Sequence, residues 1–172
     1  MVLNPIIAVK YLEGKMTKFR EAESKEEYQL AVELFKEYAS QIGVDLAFQN
    51  FNSEIEKIDS HYSKPKGAVF IVYNEKELPI GCFGIRSFES DICELKRMYL
   101  KKEARGLGIG KLLLEKAIKV AKELGYKRMR LDTLPTMHSA IGLYKKLGFY
   151  EIVPYRFNPI HGTKYFEINL IY

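Results

Sequence analysis

The segment KKEARGLGIGKLLLEK at residues 101–116 restricts what this chain can fold into more than any other stretch. Three glycines, Gly106, Gly108 and Gly110, alternate with other residues where a charged run meets a leucine-rich helical repeat. A glycine inside a helix costs roughly 0.5–1 kcal/mol relative to alanine, so three of them at a helix start need a compensating role. The pattern indicates that a ligand approaches the backbone here more closely than a Cβ atom would allow.

The period of the apolar residues changes along the chain and predicts an α/β fold. After Gly67, the runs GAVFIVYN, LPIGCFGIRSF and ICELKRMYL are separated by short polar turns, which predicts an antiparallel meander. Helices are predicted at about 25–42, 53–62, 107–124 and 137–147, and further strands at about 16–22, 127–134, 149–155 and 163–171. This order predicts a central mixed sheet of six to seven strands with about four helices on its faces.

Two helix starts carry capping signals. Ser24 followed by Glu27 predicts a capping box before the first helix, with Gly43 at its C-terminal end. Ser53 and Glu56 have the same spacing and predict a second capping pair.

Length and composition favour a single cytoplasmic domain. The 172 residues predict one domain over 16–172 after an N-terminal extension over 1–15, and Met16 is an alternative start. We expect no membrane partner, because no apolar run is long enough to span a bilayer and the N-terminus lacks signal-peptide features. Cys82 and Cys93 lack zinc-ligand spacing, and the three histidines are scattered, so we expect reduced thiols and no metal.

The charge balance suits an anionic ligand. The net charge is +5, from 27 Lys and Arg against 22 Asp and Glu. No long basic block with interleaved aromatic residues is present, so nucleic acid is not an expected partner.

Two familiar phosphate-binding motifs compete for RGLGIGK. A P-loop would need glycine at position 105, which is Arg105, and Ser or Thr at position 112, which is Leu112. That alternative fails. A dinucleotide fingerprint would need its third glycine one residue later, and the whole motif would have to follow a strand directly. Asp132 at the end of the next predicted strand does fit the acidic residue of that pattern. A dinucleotide-binding protein therefore stays a weaker alternative.

A third motif, R/Q-x-x-G-x-G/A, is met in full by Arg105, Gly108 and Gly110. With the strand ELKRMYL before it, the helix KLLLEKAIKVAKELG after it and LYKKLGF further on, the chain resembles the GNAT superfamily of acetyl-coenzyme A-dependent N-acetyltransferases from about residue 17 to 170. The resemblance implies an acetyl-CoA co-substrate and direct transfer in a ternary complex to a primary amine, which is either a small molecule or a peptide N-terminus or lysine. A non-catalytic acyl-CoA-binding sensor is an alternative, and a homodimer stays open because similar proteins often form one.

The resemblance and the physics of helix ends agree on where the coenzyme binds. Free N–H groups at a helix N-terminus attract anions, so the pyrophosphate is expected on the backbone of seven residues: Arg105, Gly106, Leu107, Gly108, Ile109, Gly110 and Lys111. The apolar alternation of ICELKRMYL shifts phase near Lys96–Arg97, which predicts a β-bulge, with a continuous strand as the alternative. In similar proteins such a bulge splays the strand, which implies that the pantetheine arm contacts the backbone of Met98, Tyr99 and Leu100.

Two residues are candidates for the chemistry of acetyl transfer. By resemblance, Tyr144 in LYKKLGF is the general acid for the departing thiolate, and a packed aromatic is the alternative. Glu94 is the candidate general base, because it lies eleven residues before Arg105 (105 − 94 = 11), the spacing of the catalytic glutamate in histone-type members. A salt-bridged strand carboxylate is the alternative. Asp132 and His138 are lesser candidates.

One position departs from the family pattern, and the acceptor is not specified. Many members carry an asparagine three residues before the alanine corresponding to Ala140, where this chain has Met137, so one coenzyme contact is in doubt. The segments expected to receive the acceptor, GVDLAFQNFN, the helix at 53–62 and YRFNPIHG, show no pattern that selects one amine.

Overall fold

The computed structural model describes residues 7–10 and 16–171. Its strands are β1 (Ile7–Lys10), β2 (Met16–Glu21), β3 (Ala68–Tyr73), β4 (Pro79–Glu89), β5 (Ile92–Leu100), β6 (Arg128–Thr133), β7 (Tyr150–Ile152) and β8 (Lys164–Asn169). They form one sheet in the order β1-β2-β3-β4-β5-β6-β8-β7. The seven strands from Met16 onward match the predicted number. The eighth, β1, belongs to the predicted extension, whose other residues lie outside the described part.

The helices occupy both faces of this sheet. They are α1 (Lys25–Ile42), α2 (Phe51–Glu56), α3 (Ile58–His61), α4 (Ile109–Glu123) and α5 (His138–Lys146). One core, which includes Phe83, Leu113 and Met129, packs against α4 and α5. A second core, which includes Phe35 and Tyr62, packs against α1 and α3. The predicted α/β class is confirmed.

The first capping prediction is confirmed and the second is wrong. Ser24 Oγ accepts from the Glu27 N–H at 3.1 Å, and the Glu27 carboxylate accepts from the Ser24 N–H at 3.0 Å. Ser53 instead lies inside α2, because the helix already begins after Asn50, which adopts a left-handed conformation. The single helix predicted at 53–62 is divided at Lys57 into α2 and α3.

A β-bulge interrupts β5 where the sequence predicts it. Gly84 pairs with Lys96 and Cys82 with Tyr99, so two steps along β4 correspond to three steps along β5. Arg97, inside this interval, has a φ of 55°. A left-handed backbone at a residue other than glycine is strained by about 1–3 kcal/mol and needs support from its surroundings.

The bulge coincides with an opening in the sheet. β5 and β6 pair in parallel from Ile92–Arg128 to Glu94–Arg130, and their register ends there. Beyond that point β6 continues to pair with β8 as far as Thr133, while β5 continues to pair with β4 as far as Leu100. The two strands therefore diverge into a gap. β5–β6 is also the one parallel pair among those described, unlike the mostly parallel sheet of a dinucleotide-binding fold.

A buried ion pair supports the strained residue of the bulge. Arg97 donates from Nε to Glu54 Oε1 at 3.1 Å and from Nη2 to Glu54 Oε2 at 2.5 Å, and both side chains are almost fully buried. Tyr62 donates its hydroxyl to the same Oε1 at 2.5 Å. Burial alone would raise the pKa of Glu54, but the hydrogen bonds and the charge of Arg97 outweigh it and hold the pKa below its usual range. Helix α2 is thereby fixed to the bulge.

We predict that Glu54→Ala lowers the free energy of unfolding by about 3–5 kcal/mol, because it leaves the Arg97 guanidinium buried without its carboxylate. Urea unfolding followed by circular dichroism measures this change. Glu56→Ala, at an exposed position on the same helix, is the control and should change stability by no more than about 0.5 kcal/mol. A loss below about 1 kcal/mol for Glu54→Ala would contradict the role of the pair.

Candidate functional site

The gap between β5 and β6 opens into a large cleft. Its volume is about 860 Å³, within the usual range for ligand sites. Residues from both strands, from the glycine segment and from α5 line it, among them Met98, Tyr99, Leu100, Arg105, Gly106, Gly110, Asp132, Met137, His138 and Tyr144. The structure thus brings most of the predicted coenzyme residues to one cavity.

The glycine segment has its own local explanation. Gly106 and Gly108 have φ angles of 76° and 80°, a left-handed backbone that strongly favours glycine, and a Cβ added at either would meet nothing within 4 Å. The backbone conformation therefore explains why glycine occupies these two positions, and the space around both is open. Leu107, between the two glycines, packs against the core, and Ile109, directly after Gly108, lies within it, which fixes the loop while the glycine backbone stays accessible.

The two charged residues of the segment do different things. Arg105 is exposed, yet it donates from Nε to the Leu100 carbonyl and from Nη2 to Gln41 Oε1, both at 2.9 Å. It braces the loop against the end of β5 and against α1. Lys111 lies in the first turn of α4 and pairs with Glu115 at 3.5 Å on the exposed surface, outside the residues that line the cleft.

A smaller cavity of about 50 Å³ adjoins the cleft. The two share residues at the point where β5 and β6 diverge, including Leu95, Arg97, Asp132 and Thr133. Residues found only in the smaller cavity come from the segment before α2, from β5 and from the β7–β8 loop: Leu46, Phe48, Gln49, Lys96, Asn158, Ile160 and Thr163. Two of the three segments that the sequence associates with the acceptor, GVDLAFQNFN and YRFNPIHG, therefore meet here, whereas the predicted helix at 53–62 does not line the cavity.

The bulge turns two neighbouring cations toward this smaller cavity. In a regular strand, consecutive side chains point to opposite faces. Here Lys96 Nζ and Arg97 Nη1 both donate to Gln49 Oε1, at 3.4 and 2.9 Å. Burial lowers the pKa of Lys96 to about 8, with the neighbouring Arg97 charge adding to the effect.

Tyr144 lies at the α5 side of the cleft and is buried. Its ring packs against Phe149 and Phe166, with centroids 5.8 and 6.0 Å apart. Burial raises the pKa of Tyr144 above its ordinary value, so the phenol keeps its proton at neutral pH. Tyr144 is therefore a packed aromatic residue, as the alternative predicts, and it also lines the cleft.

Glu94 lines neither cavity. Its Oε2 forms a close ion pair with Arg156 and accepts from the Tyr155 hydroxyl at 3.0 Å, while Oε1 lies 3.7 Å from Lys96 Nζ. The carboxylate therefore anchors the β7–β8 loop to β5. This arrangement agrees with the ion-paired alternative for Glu94, whose nearest approach to the smaller cavity is its contact with Lys96.

Sequence reasoning did not assign a role in the site to the side chains of Gln49, Glu54 or Lys96. Gln49 and Glu54 had no local signal, since their partners lie more than forty positions away. Lys96 and Arg97 did have a local signal. Two adjacent cations are unexpected in a strand with both faces covered unless a bulge redirects their side chains. Asp132 was only a lesser candidate, yet it lines both cavities.

Two searches of the described residues found no candidate. Across residues 7–10 and 16–171, no helix has the length and apolar character needed to cross a membrane. The same residues contain no group of three or more His, Cys, Asp or Glu side chains arranged to hold a metal ion.

The acetyltransferase (GNAT) family model matches residues 22–149 of this chain. The chain belongs to the GNAT acetyltransferase family. This membership confirms the resemblance found in RGLGIGK and makes the protein an acyltransferase, so it favours an enzyme over the sensor alternative.

Individual GNAT relatives agree with this assignment. An uncharacterized N-acetyltransferase from Schizosaccharomyces pombe is 37% identical over 138 residues, which cover 80% of this chain and 85% of the relative. A GNAT-family acetyltransferase from Staphylococcus aureus Mu50 superposes with a TM-score of 0.71 at 25% identity, over 89% of this chain and 99% of that one. A GNAT-family acetyltransferase from Elizabethkingia anophelis, solved with acetyl-CoA bound, superposes with a TM-score of 0.53 at 22% identity, over 66% of this chain and 82% of that one.

Proposed function

We propose that this GNAT protein transfers an acetyl group from acetyl-CoA directly to a primary amine while both substrates are bound. The observation that carries the proposal is the meeting of two cavities at the gap between β5 and β6. A large cleft leads from the glycine segment to Tyr144, and a smaller polar cavity joins it at Asp132 and Thr133. Two substrates entering from opposite sides would meet at this junction.

The described residues fit acetyl-CoA. The start of α4 offers free backbone N–H groups for the pyrophosphate over residues 105–111, where the glycine backbone is open. The unpaired side of β5 at Met98, Tyr99 and Leu100 would bind the pantetheine arm as an added strand. When bound, acetyl-CoA supplies the thioester from which the acetyl group is transferred.

Tyr144 would assist departure of the sulfur. Because burial raises its pKa, Tyr144 stays neutral and suits the role of a hydrogen-bond donor to the developing thiolate. Glu94 stays the predicted base, and since it lines neither cavity, it would act on the amine through a water relay. Asp132, at the junction, is the carboxylate with direct access.

Ligand binding and kinetics test this function. We predict that saturating acetyl-CoA or CoA raises the thermal unfolding midpoint by several degrees and that NAD does not, because ligand at a hundredfold its Kd stabilises by about 2.7 kcal/mol. With an amine that the protein accepts, double-reciprocal plots of initial velocity should intersect, because direct transfer requires both substrates to be bound at once. A larger shift with NAD would contradict the coenzyme assignment, and parallel plots or a trapped acetyl-enzyme would contradict direct transfer.

For Tyr144→Phe we expect kcat to fall about 100-fold with little change in the KM for acetyl-CoA, because the variant keeps the packing and loses only the proton donor. Tyr150→Phe, a half-exposed tyrosine on β7 away from the cleft, is the matched control and should keep its kcat. An unchanged kcat for Tyr144→Phe would exclude the donor role.

A further inference from the structure

The smaller cavity carries opposite charges on opposite sides. Lys96 lies on β5 and Asp132 near the end of β6, and both line the cavity. The Gln49 carboxamide lies between them: its Oε1 is 3.4 Å from Lys96 Nζ and its Nε2 is 3.5 Å from Asp132 Oδ2. The two charges are therefore no farther apart than one carboxamide and two long hydrogen bonds can span, and a substrate that bridges them would replace the Gln49 carboxamide there.

Lys96 is buried with incomplete compensation of its charge. Its side chain is 4% exposed, and the contacts found for Nζ are the long hydrogen bond to Gln49 and the 3.7 Å approach to Glu94. Glu94 is already engaged more closely by Arg156 and Tyr155. A buried ammonium has three donors and is stable only with acceptors close by, so this position favours the arrival of a further anionic group.

Arg97 is not available for that role. Its guanidinium already makes two hydrogen bonds to Glu54 and one to Gln49. An anion that enters the smaller cavity would therefore be received by Lys96. Because Lys96 does not line the coenzyme cleft, the anion belongs to the second substrate and not to acetyl-CoA.

Asp132 provides the complementary end. Its Oδ2 accepts from Gln49 at 3.5 Å and from Asn158 Nδ2 at 3.3 Å, both long, and the side chain is half-buried. A carboxylate can accept about four hydrogen bonds, so Asp132 has capacity left for an amine. It also lines the coenzyme cleft, so an amine held there lies toward the coenzyme.

We propose that the acceptor is a free amino acid, whose carboxylate pairs with Lys96 and whose amino group lies against Asp132 at the junction of the two cavities. This inference rests on the proposed N-acetyltransferase function. The amine nitrogen forms a bond to the acetyl carbonyl carbon as the carbon–sulfur bond breaks. Of the two protons that the ammonium loses, one ends on the sulfur of CoA and the other passes to solvent. A lysine side chain within a protein, or a peptide N-terminus, lacks the neighbouring carboxylate.

The test uses matched pairs of acceptors, each of the common amino acids against its own carboxamide. A carboxamide lacks the negative charge and has the more readily deprotonated amine, so a preference for the acid cannot arise from amine reactivity. We expect kcat/KM to be at least tenfold higher for the best amino acid than for its carboxamide. Because this ratio is measured on the unaltered protein, it tests the inference even where a variant fails to fold.

Two variants of Lys96 test whether this residue causes the preference for the acid over its carboxamide. Lys96→Met, similar in length and uncharged, should reduce the acid-to-carboxamide ratio about tenfold, while Lys96→Arg should retain part of it. Lys146→Met, at an exposed position on α5, is the control and should leave the ratio unchanged. A merely structural role of Lys96 would lower the rates with both acceptors together and leave the ratio unaltered, which would overturn the assignment.

Failure of the inference and of the underlying function give different results. Equal or faster acetylation of the carboxamides, or of simple amines, overturns the amino acid assignment and leaves the N-acetyltransferase function standing. Acetylation of neither class by a protein that is stabilised by acetyl-CoA overturns both.

Discussion

The buried pair between Arg97 and Glu54 is the interaction on which the rest of the site depends. Arg97 adopts a left-handed backbone that an ordinary residue rarely occupies, and Glu54 meets it with two hydrogen bonds inside the protein. Buried ion pairs are weak general stabilisers, but removal of one partner leaves an uncompensated charge. The pair thus fixes the backbone geometry of the β-bulge in β5.

From the bulge, the two halves of the site follow. The pairing of β5 with β6 ends at Glu94, just before the extra residue in β5, so the sheet opens where a coenzyme arm could pair with the exposed strand. The same extra residue brings Lys96 and Arg97 to one face, where both reach Gln49. A single irregular stretch of β5 therefore adjoins the opening proposed for acetyl-CoA and contributes two cations to the smaller cavity.

The elements that the sequence predicts well are those encoded by neighbouring residues. The Ser24–Glu27 capping box, the three-stranded meander and the bulge near Lys96–Arg97 all leave local patterns of spacing or phase, and the structure confirms each. The family motif at Arg105–Gly110 is equally local. These signals are sufficient to predict the fold class and the family.

The smaller cavity, where we propose that the acceptor binds, could not be predicted because it is built from distant residues. Glu54 and Arg97 are 43 positions apart, and Gln49 and Asp132 are 83 apart, so no periodicity connects them. The capping pattern at Ser53 and Glu56 was misleading, since Asn50 starts the helix earlier and Lys57 ends it. The spacing that suggested Glu94 as a base fixes its position in the strand but not its partners, and Arg156 and Tyr155 come from a loop about sixty residues away.

Hydrogen exchange with and without CoA tests the central claim, that the bulge opens the sheet to receive the coenzyme. Backbone amides are slowed where a ligand pairs with or covers them. The structure predicts protection at residues 98–100 on β5 and at 105–111 at the start of α4, with no comparable effect of NAD. Protection confined to other segments, or unchanged exchange at both of these under saturating CoA, would contradict the claim.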